Sequence, residues 1–197
     1  MDKQLSDIRR MEKDLSQIAQ ERGVKYFLIS FVDLFGTMRA KLVPAAAISD
    51  MSKDGAGFAG FACWLDMSPA DADMLAIPDP ESFIQLPWKK EVAWVAGDLV
   101  MNGQLVEQAP RNTLKRLLEV AANKGYMLKS GVECEFFLIS PDGKAISDLA
   151  DFQDKPCYDQ QALMRRYDVI SEICDCMLEL GWARIRMTTR MPTASSR

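Results

Sequence analysis

The chain has 197 residues, which is long enough for one packed domain or two small ones. Its residues are 48% hydrophobic and 26% charged, and this composition is not that of a disordered, fibrous or membrane-spanning protein. Its net charge of -4 gives no basic face of the kind that binds nucleic acid or anionic lipid, and we expect neither as a partner. It contains no histidine, which excludes Ser-His-Asp and Cys-His hydrolases and His-ligated zinc, iron or haem.

The N-terminal half has the pattern of a small mixed sheet crossed by a helix. Apolar residues at three- and four-residue spacing predict an amphipathic helix over 2–22, which ends before Gly23. A short helix is predicted over 45–53, and the Gly-rich stretch 55–61 is interpreted as a close-packed loop without a regular element. Runs rich in β-branched and aromatic residues predict strands at 25–34, 38–43, 74–77, 83–86 and 92–99.

The second half begins with a polar-capped helix, predicted over 113–123. An apolar strand is predicted over 126–140 and a turn over 141–144. A long helix then spans 160–180 and ends before Gly181.

The cysteine pattern favours a reduced, cytoplasmic protein. The cysteines are odd in number, their spacing is not that of a disulfide framework, and no signal peptide precedes them. They stand at positions 63, 134, 157, 174 and 176. Because Cys174 and Cys176 lie two residues apart on a predicted helix, their side chains point in different directions and we expect no zinc site there.

Two carboxylates in the predicted strand 126–140 form the candidate site. Glu133 and Glu135 flank Cys134, so in a strand both carboxylates leave the same face, about 6–7 Å apart. Two such charges repel each other, and hard divalent cations such as magnesium or manganese relieve the repulsion. From the spacing alone, a solvated strand face that carries two Glu residues is the simpler interpretation.

Four segments of the chain, taken in order, carry a family resemblance. They are Phe31–Gly36 with Arg39–Lys41, Met74–Asp79, Pro110–Arg111 and Gly131–Phe137. Together they resemble the N-terminal part of a glutamine synthetase, and within that family the glutamine synthetase III-like group, which includes γ-glutamylmethylamide synthetases. The likeness runs from about residue 20 to Trp182.

The resemblance implies an α+β fold, with an N-terminal helix over 1–22, a β-grasp domain over 23–108 and the incomplete start of the glutamine synthetase catalytic domain over 109–182. It implies a ligase in which ATP phosphorylates the γ-carboxylate of glutamate and ammonia displaces the phosphate, in a homo-oligomer. It also implies magnesium or manganese, because the reacting groups are all anionic, with Glu133 holding one ion and Glu135 the other.

One loop departs from the family's pattern. The family's Phe-Asp-Gly-Ser-Ser segment, whose Asp helps to bind ammonium at a neighbouring subunit's site, corresponds to residues 58–61 of this chain, where Ala59 offers no carboxylate. An apolar side chain favours methylamine over ammonium, since burying a methyl group contributes roughly 0.8 kcal/mol. A change in loop packing alone is the other interpretation.

The composition changes after Trp182. Residues 183–197 contain four Arg and no acidic residue, so all 28 Asp and Glu precede them. The tail can be encoded with favourable synonymous codons, and one added G in front of them then shifts the reading frame. The new frame translates to Gly-Pro-Tyr-Gln-Asn-Asp-His-Glu-Asp-Ala-Asn-Gly-Gln-Phe-Glu, which contains the sequence that the family has at this place. We therefore expect a one-base deletion and a frameshifted, truncated product. The alternative is a basic extension that binds an acidic partner, and the nucleotide sequence after codon 182 in all frames separates the two.

Two functional hypotheses stay open at this point. The chain is the N-terminal portion of a glutamine synthetase-type ligase, inactive by itself because two carboxylates are too few to hold a divalent cation, or it is a non-catalytic fragment that occupies a subunit interface. In both cases the strand 126–140 and the helix 160–180 lack most of the sheet on which they pack, and we expect exposed apolar surface on them.

Overall fold

The computed structural model describes residues 14–145, 148, 150, 155 and 157–182. The chain divides into two compact units, Met1–Lys129 and Ser130–Arg197. The first part of the predicted helix 2–22 and the whole tail 183–197 lie outside the described residues.

The first unit contains a mixed seven-stranded sheet. Its strands are β1 (Tyr26–Val32), β2 (Met38–Pro44), β3 (Ala56–Phe58), β4 (Met74–Pro78), β5 (Ile84–Gln85), β6 (Val92–Met101) and β7 (Gln104–Leu105). The order across the sheet is β2-β1-β6-β4-β3, and β5 and β7 both pair with β6. Strand β1 runs parallel to β6 and all other pairs are antiparallel. The predicted strands are thus confirmed, with bounds that differ by a residue or two.

Strand β6 joins the two halves of the sheet. Its residues 92–96 pair with β1, and its residues 97–100 pair with β4. At the change of partner, a Cβ on Gly97 would lie 2.8 Å from Cβ of Ala76, which is closer than side chains pack. Glycine is therefore the residue that lets β4 and β6 approach here.

In the described part of this unit, three helices pack around the sheet: α1 (Leu15–Arg22), α2 (Ile48–Asp54) and α3 (Pro110–Asn123). The Asp14 carboxylate caps α1 by accepting a hydrogen bond from Ser16 N at 2.9 Å, and Gly23 ends the helix in the left-handed region at φ 68°. The largest fully buried apolar side chains come from the strands, from α2 and from the loop after β3. They are Phe27, Ile29, Ile48, Leu65, Met74, Val95 and Leu99.

Two predictions for this unit need correction. The helix predicted over 45–53 is a 3-10 turn at Ala45–Ala47 followed by α2. The stretch 55–61 is close-packed as expected, since a Cβ on Gly60 would lie 2.1 Å from Sδ of Met67, but it also contains strand β3, paired with β4. Non-local pairing outweighs the low strand propensity of its glycine.

Helix α3 belongs to the first unit, whereas the sequence places it in a second domain that starts at 109. Packing units and family domains need not share a boundary, so the division at 108 stays a prediction. The second unit contains α4 (Gln160–Arg165) and α5 (Tyr167–Glu179). One helix was predicted over 160–180, and the chain breaks it at Arg166, whose φ of -119° and ψ of 20° are not helical.

No helix within the described residues is both long and apolar enough to cross a membrane.

Candidate functional site

Glu133 and Glu135 lie on a segment that has no regular secondary structure. The strand prediction over 126–140 is therefore wrong for this chain: residues 126–138 form no ladder, and Ile139 alone forms an isolated bridge. Next to it, Ser140 donates its N–H to Ala145 O at 2.8 Å. A strand needs a neighbour for its backbone groups, and the described residues provide none. Both glutamates and Cys134 between them are exposed.

The two glutamates match a metal site in donor type but not in number. Carboxylate oxygens are the ligands that magnesium and manganese prefer, in sets of about six oxygens including water. Within the part of the chain that the structure describes, no group of three or more His, Cys, Asp or Glu side chains could hold a metal ion. Glu133 and Glu135 by themselves do not complete such a site, and their metal role stays a prediction.

A buried carboxylate lies elsewhere, at the turn between β1 and β2. Oδ1 of Asp33 accepts hydrogen bonds from the backbone N–H groups of Phe35 and Thr37, each at 2.9 Å, and Oδ2 accepts one from Nε of Arg39 at 2.9 Å. Burial alone would raise the pKa of the Asp33 carboxyl, but the bonds from Thr37, Arg39 and Phe35 and the charge of Arg39 outweigh it and hold the pKa below its ordinary value of 3.8. This ionised group organises the turn.

Asp33→Asn is expected to destabilise the chain most at neutral pH. The amide offers one acceptor in place of two and sets an N–H group against Arg39 or the turn. Because folding lowers the pKa of Asp33, the ionised carboxyl contributes to the stability of the fold above pH 3.8. This contribution is lost as the pH falls through the lower pKa of the folded chain. Urea unfolding from pH 3 to pH 7 checks this: the difference from wild type should shrink toward pH 3. The exposed Asp54→Asn is the control, and a difference independent of pH would contradict the assignment.

An ion-pair cluster fastens α3 to the sheet. Nε of Arg111 donates to Oδ1 of Asp98 at 2.8 Å, and its Nη2 donates to Asp79. Nζ of Lys115 donates to the other oxygen of Asp98. Asp79 and Asp98 are mostly buried, and Arg111 is half-buried. Two of the segments that carry the resemblance, Met74–Asp79 and Pro110–Arg111, thus meet in a contact that holds the fold together.

The loop that departs from the family's pattern lies beside β3. Phe58 is buried, and its ring packs edge-on against Phe31 with 4.9 Å between centroids. Ala59 follows it, half-buried, and precedes the 3-10 turn Gly60–Cys63. Phe61 in that turn is exposed. The loop thus presents a methyl group and an aromatic ring, with no carboxylate between residues 58 and 61.

Sequence reasoning missed an exposed aromatic pair. The rings of Phe35 and Trp64 meet edge-to-face with centroids 5.4 Å apart, and the N–H of Leu34 donates to Trp64 O at 3.3 Å. Both rings are mostly exposed, at 75% and 62%. Residues so distant along the chain give no local signal of such a pair, which only the folded turn creates.

Comparisons with known proteins place these features in a family. Residues 107–193 match the model of the glutamine synthetase catalytic domain. The chain is 66% identical over 172 residues to a glutamine synthetase of Rhizobium meliloti (strain 1021). The matched region covers 87% of this chain and 40% of the relative. It is 36% identical over 172 residues to a glutamate–methylamine ligase of Methyloversatilis universalis, over 85% of this chain and 39% of that protein.

Solved structures agree with these relatives. A structure described as a GmaS/ADP complex shares 64% identity with this chain at a TM-score of 0.87, over 90% of this chain and 41% of that one. A structure of GmaS without ligand gives the same TM-score and covers 42% of its chain. The chain thus spans about 40% of the length of the relatives that it matches. Over the part that it spans, the chain matches the glutamine synthetase family in sequence and in fold.

Proposed function

We propose that this chain is the N-terminal portion of a glutamine synthetase-type ligase, which amidates the γ-carboxylate of glutamate with ammonia through γ-glutamyl phosphate at the expense of ATP. The observation that carries this proposal is the 66% identity over 172 residues to the Rhizobium meliloti glutamine synthetase. In this assignment the sheet of the first unit is the family's β-grasp domain, and the intact enzyme is a cytoplasmic homo-oligomer.

Glu133 and Glu135 are the proposed metal ligands of the intact enzyme. Magnesium or manganese bound there would neutralise anionic substrate groups. The two side chains are exposed, and further ligands must come from residues outside the described part of the chain, since that part holds no group of three. The contribution of this chain is thus two carboxylates carried on a segment that needs a neighbouring strand for a fixed geometry.

A protein of only these 197 residues is expected to have no synthetase activity, because the described residues bring together too few metal ligands for the chemistry. The measurement is γ-glutamyl hydroxamate formation from glutamate, hydroxylamine and ATP with magnesium. The purified chain should stay at the blank, while the full-length Rhizobium meliloti relative serves as the positive control. Hydroxamate formed by the chain at a rate that scales with its concentration would overturn this expectation.

Methylamine as the amine is the second candidate, favoured by Ala59 and by the 36% identity to a glutamate–methylamine ligase. A loop without a carboxylate disfavours a hydrated ammonium ion relative to an amine with a methyl group to bury. A chimaera of the Rhizobium meliloti relative that carries residues 20–182 of this chain separates the two. A ratio of kcat/KM values that shifts toward methylamine supports the second candidate, and an unchanged preference for ammonia supports the first.

A further inference from the structure

The hairpin of β6 and β7 closes in a loop of two residues, Asn102 and Gly103. The ladder ends with the pair of Met101 and Gln104, so only these two residues lie between the strands. Both have a left-handed backbone, with φ of 53° at Asn102 and 75° at Gly103. This is the geometry of a type I′ turn, for which Asn-Gly is a preferred sequence. The turn thus accounts for these two residue types at this place.

The same two residues bring together a nucleophile and an amide. The backbone nitrogen that follows an asparagine can attack the carbon of its side-chain amide, and a side chain on the following residue hinders this attack. Glycine has no side chain, and even a Cβ built on Gly103 would meet no atom within 4 Å. Asn102 is exposed to solvent. The backbone nitrogen of Gly103 and the amide of Asn102 are therefore adjacent, unshielded and accessible to water.

Few hydrogen bonds keep this turn closed. Strand β7 has two residues, both exposed, and β6 is its one partner among the described strands. Short segments of this kind fray at a much lower free energy than that of global unfolding. Fraying of β7 leaves the pairs of β6 with β1 and β4 intact. The loop can thus leave the turn conformation, and bring the nitrogen against the amide carbon, while the sheet stays folded.

The other two asparagines of the chain lack this arrangement. Asn112 is buried, and its amide nitrogen donates to two carbonyl groups. Asn123 is the last residue of α3. The backbone N–H groups that follow them, those of Thr113 and Lys124, both donate to carbonyl groups at 3.0 Å. Helical hydrogen bonds therefore hold the attacking nitrogen in place at both positions, which makes these asparagines internal controls.

We propose that Asn102 is a site of spontaneous deamidation in the folded chain. The backbone nitrogen of Gly103 forms a bond to Cγ of Asn102, the bond from Cγ to Nδ2 breaks, and Nδ2 leaves as ammonia with the proton of the backbone nitrogen. Water then opens the cyclic imide. Attack of water at Cγ gives aspartate and attack at the backbone carbonyl gives isoaspartate, without oxidation or reduction. The reaction needs only this hairpin and water, so it does not depend on the proposed ligase activity.

Isoaspartate at this position weakens the attachment of α3. It routes the main chain through the side-chain carbon and so lengthens the loop, whose length fixes the register of β7 on β6. The residue after β7, Val106, is buried, and its N–H donates to Leu99 O at 2.9 Å. Its carbonyl oxygen accepts a hydrogen bond from Nδ2 of Asn112 at 3.0 Å. A shifted β7 therefore disturbs contacts that fix the first turn of the helix.

Incubation of the purified full chain at pH 6 and pH 8 tests the site. Peptide mass spectrometry should show the amide of Asn102 converted to an acid, at least tenfold faster at pH 8 because the attacking nitrogen must lose its proton. Asn112 and Asn123 should stay unmodified, and an isoaspartate methyltransferase should label the peptide that contains residue 102. Equal conversion of the three asparagines, or a rate at Asn102 more than a hundredfold below that of a free peptide of residues 100–105, would overturn the proposal.

The variant Asn102→Gly is the matched control, because Gly-Gly fits the same type I′ turn but carries no amide. Incubation at pH 8 should lower the urea midpoint of the wild-type chain and leave that of the variant unchanged. In the isoaspartate fraction of the wild type, hydrogen exchange at residues 104–112 should be at least tenfold faster than in the fresh chain. The same change in the incubated variant, or conversion at Asn102 without faster exchange, would contradict the effect on α3.

Discussion

Asn112→Asp is expected to lower the free energy of unfolding by about 3 kcal/mol or more at neutral pH. Asn112 is buried in the first turn of α3, where its Nδ2 donates to Leu99 O at 2.8 Å and to Val106 O at 3.0 Å. Aspartate has nearly the same shape but no donor, so a carboxylate would face two carbonyl oxygens. At the same time the helix would lose the two hydrogen bonds that Asn112 makes to the end of β6 and to the loop before α3.

The pH dependence gives this prediction its signature. Burial and the facing carbonyls raise the pKa of the introduced carboxyl, so the variant regains stability as the pH falls and the protonated acid donates one hydrogen bond. Urea unfolding at pH 7 and pH 5 measures it. The control is Asn123→Asp at the exposed end of the same helix, which should cost under about 1 kcal/mol through the helix dipole. Equal losses in the two variants would show that the contacts of Asn112 contribute little.

Arg111→Met is expected to cost about 2–3 kcal/mol, less than a fully buried pair because the arginine is half-buried. Methionine keeps much of the apolar stem but removes the charge that binds Asp79 and Asp98, which leaves two mostly buried carboxylates close together. Arg111→Lys should recover only part of the loss, since one ammonium group does not reproduce the fork of a guanidinium.

The neighbouring lysine provides the control for this second prediction. Lys115→Met removes a charge from the same cluster, but its side chain is 52% exposed and Asp98 keeps Arg111 as its partner. We expect a loss under about 1 kcal/mol, as for a surface ion pair. Thermal or urea unfolding of the three variants ranks them, and a larger loss for Lys115→Met than for Arg111→Met would contradict the geometry.

Local patterns were sufficient to predict five of the seven strands of the first unit, and β3 and β7 were missed. The apolar runs that form β1 and β6 are dense in branched and aromatic residues, and glycine or proline stands near most of the predicted ends. These strands also pair within the first 105 residues, so the neighbours that stabilise them are present. Strand β3 was missed because it consists of Ala56, Gly57 and Phe58, and its pairing with β4 is not visible in the sequence.

The segment 126–140 shows the opposite case. Its composition is that of a strand, yet a strand is a property of two segments, and the described residues contain no second one for it. The apolar surface expected on it is confirmed: Met127 is 80% exposed and Val132 86%. Glu133 and Glu135 were identified by spacing and resemblance, but the geometry that would make them ligands depends on the missing neighbour.

The ion pairs could not be predicted from the sequence, for a different reason. The resemblance singled out Asp33, Arg39, Asp79 and Arg111 without assigning them roles, and sequence spacing does not tell a structural carboxylate from a catalytic one. The folded chain distinguishes them by burial and by partners: Asp33 and Asp79 are occupied by arginines and backbone groups of the same unit. These residues support the fold on which the family's site depends.

The unfolding of the first unit depends on strand β6. It pairs with β1, β4, β5 and β7. Among the described strands, only two other pairs are neighbours, which are β1 with β2 and β3 with β4. We therefore expect that loosening residues 92–101 releases both halves of the sheet together. We expect such a central strand to make unfolding of the unit cooperative, which would protect the unit from partial opening even though helix α3 carries exposed leucines.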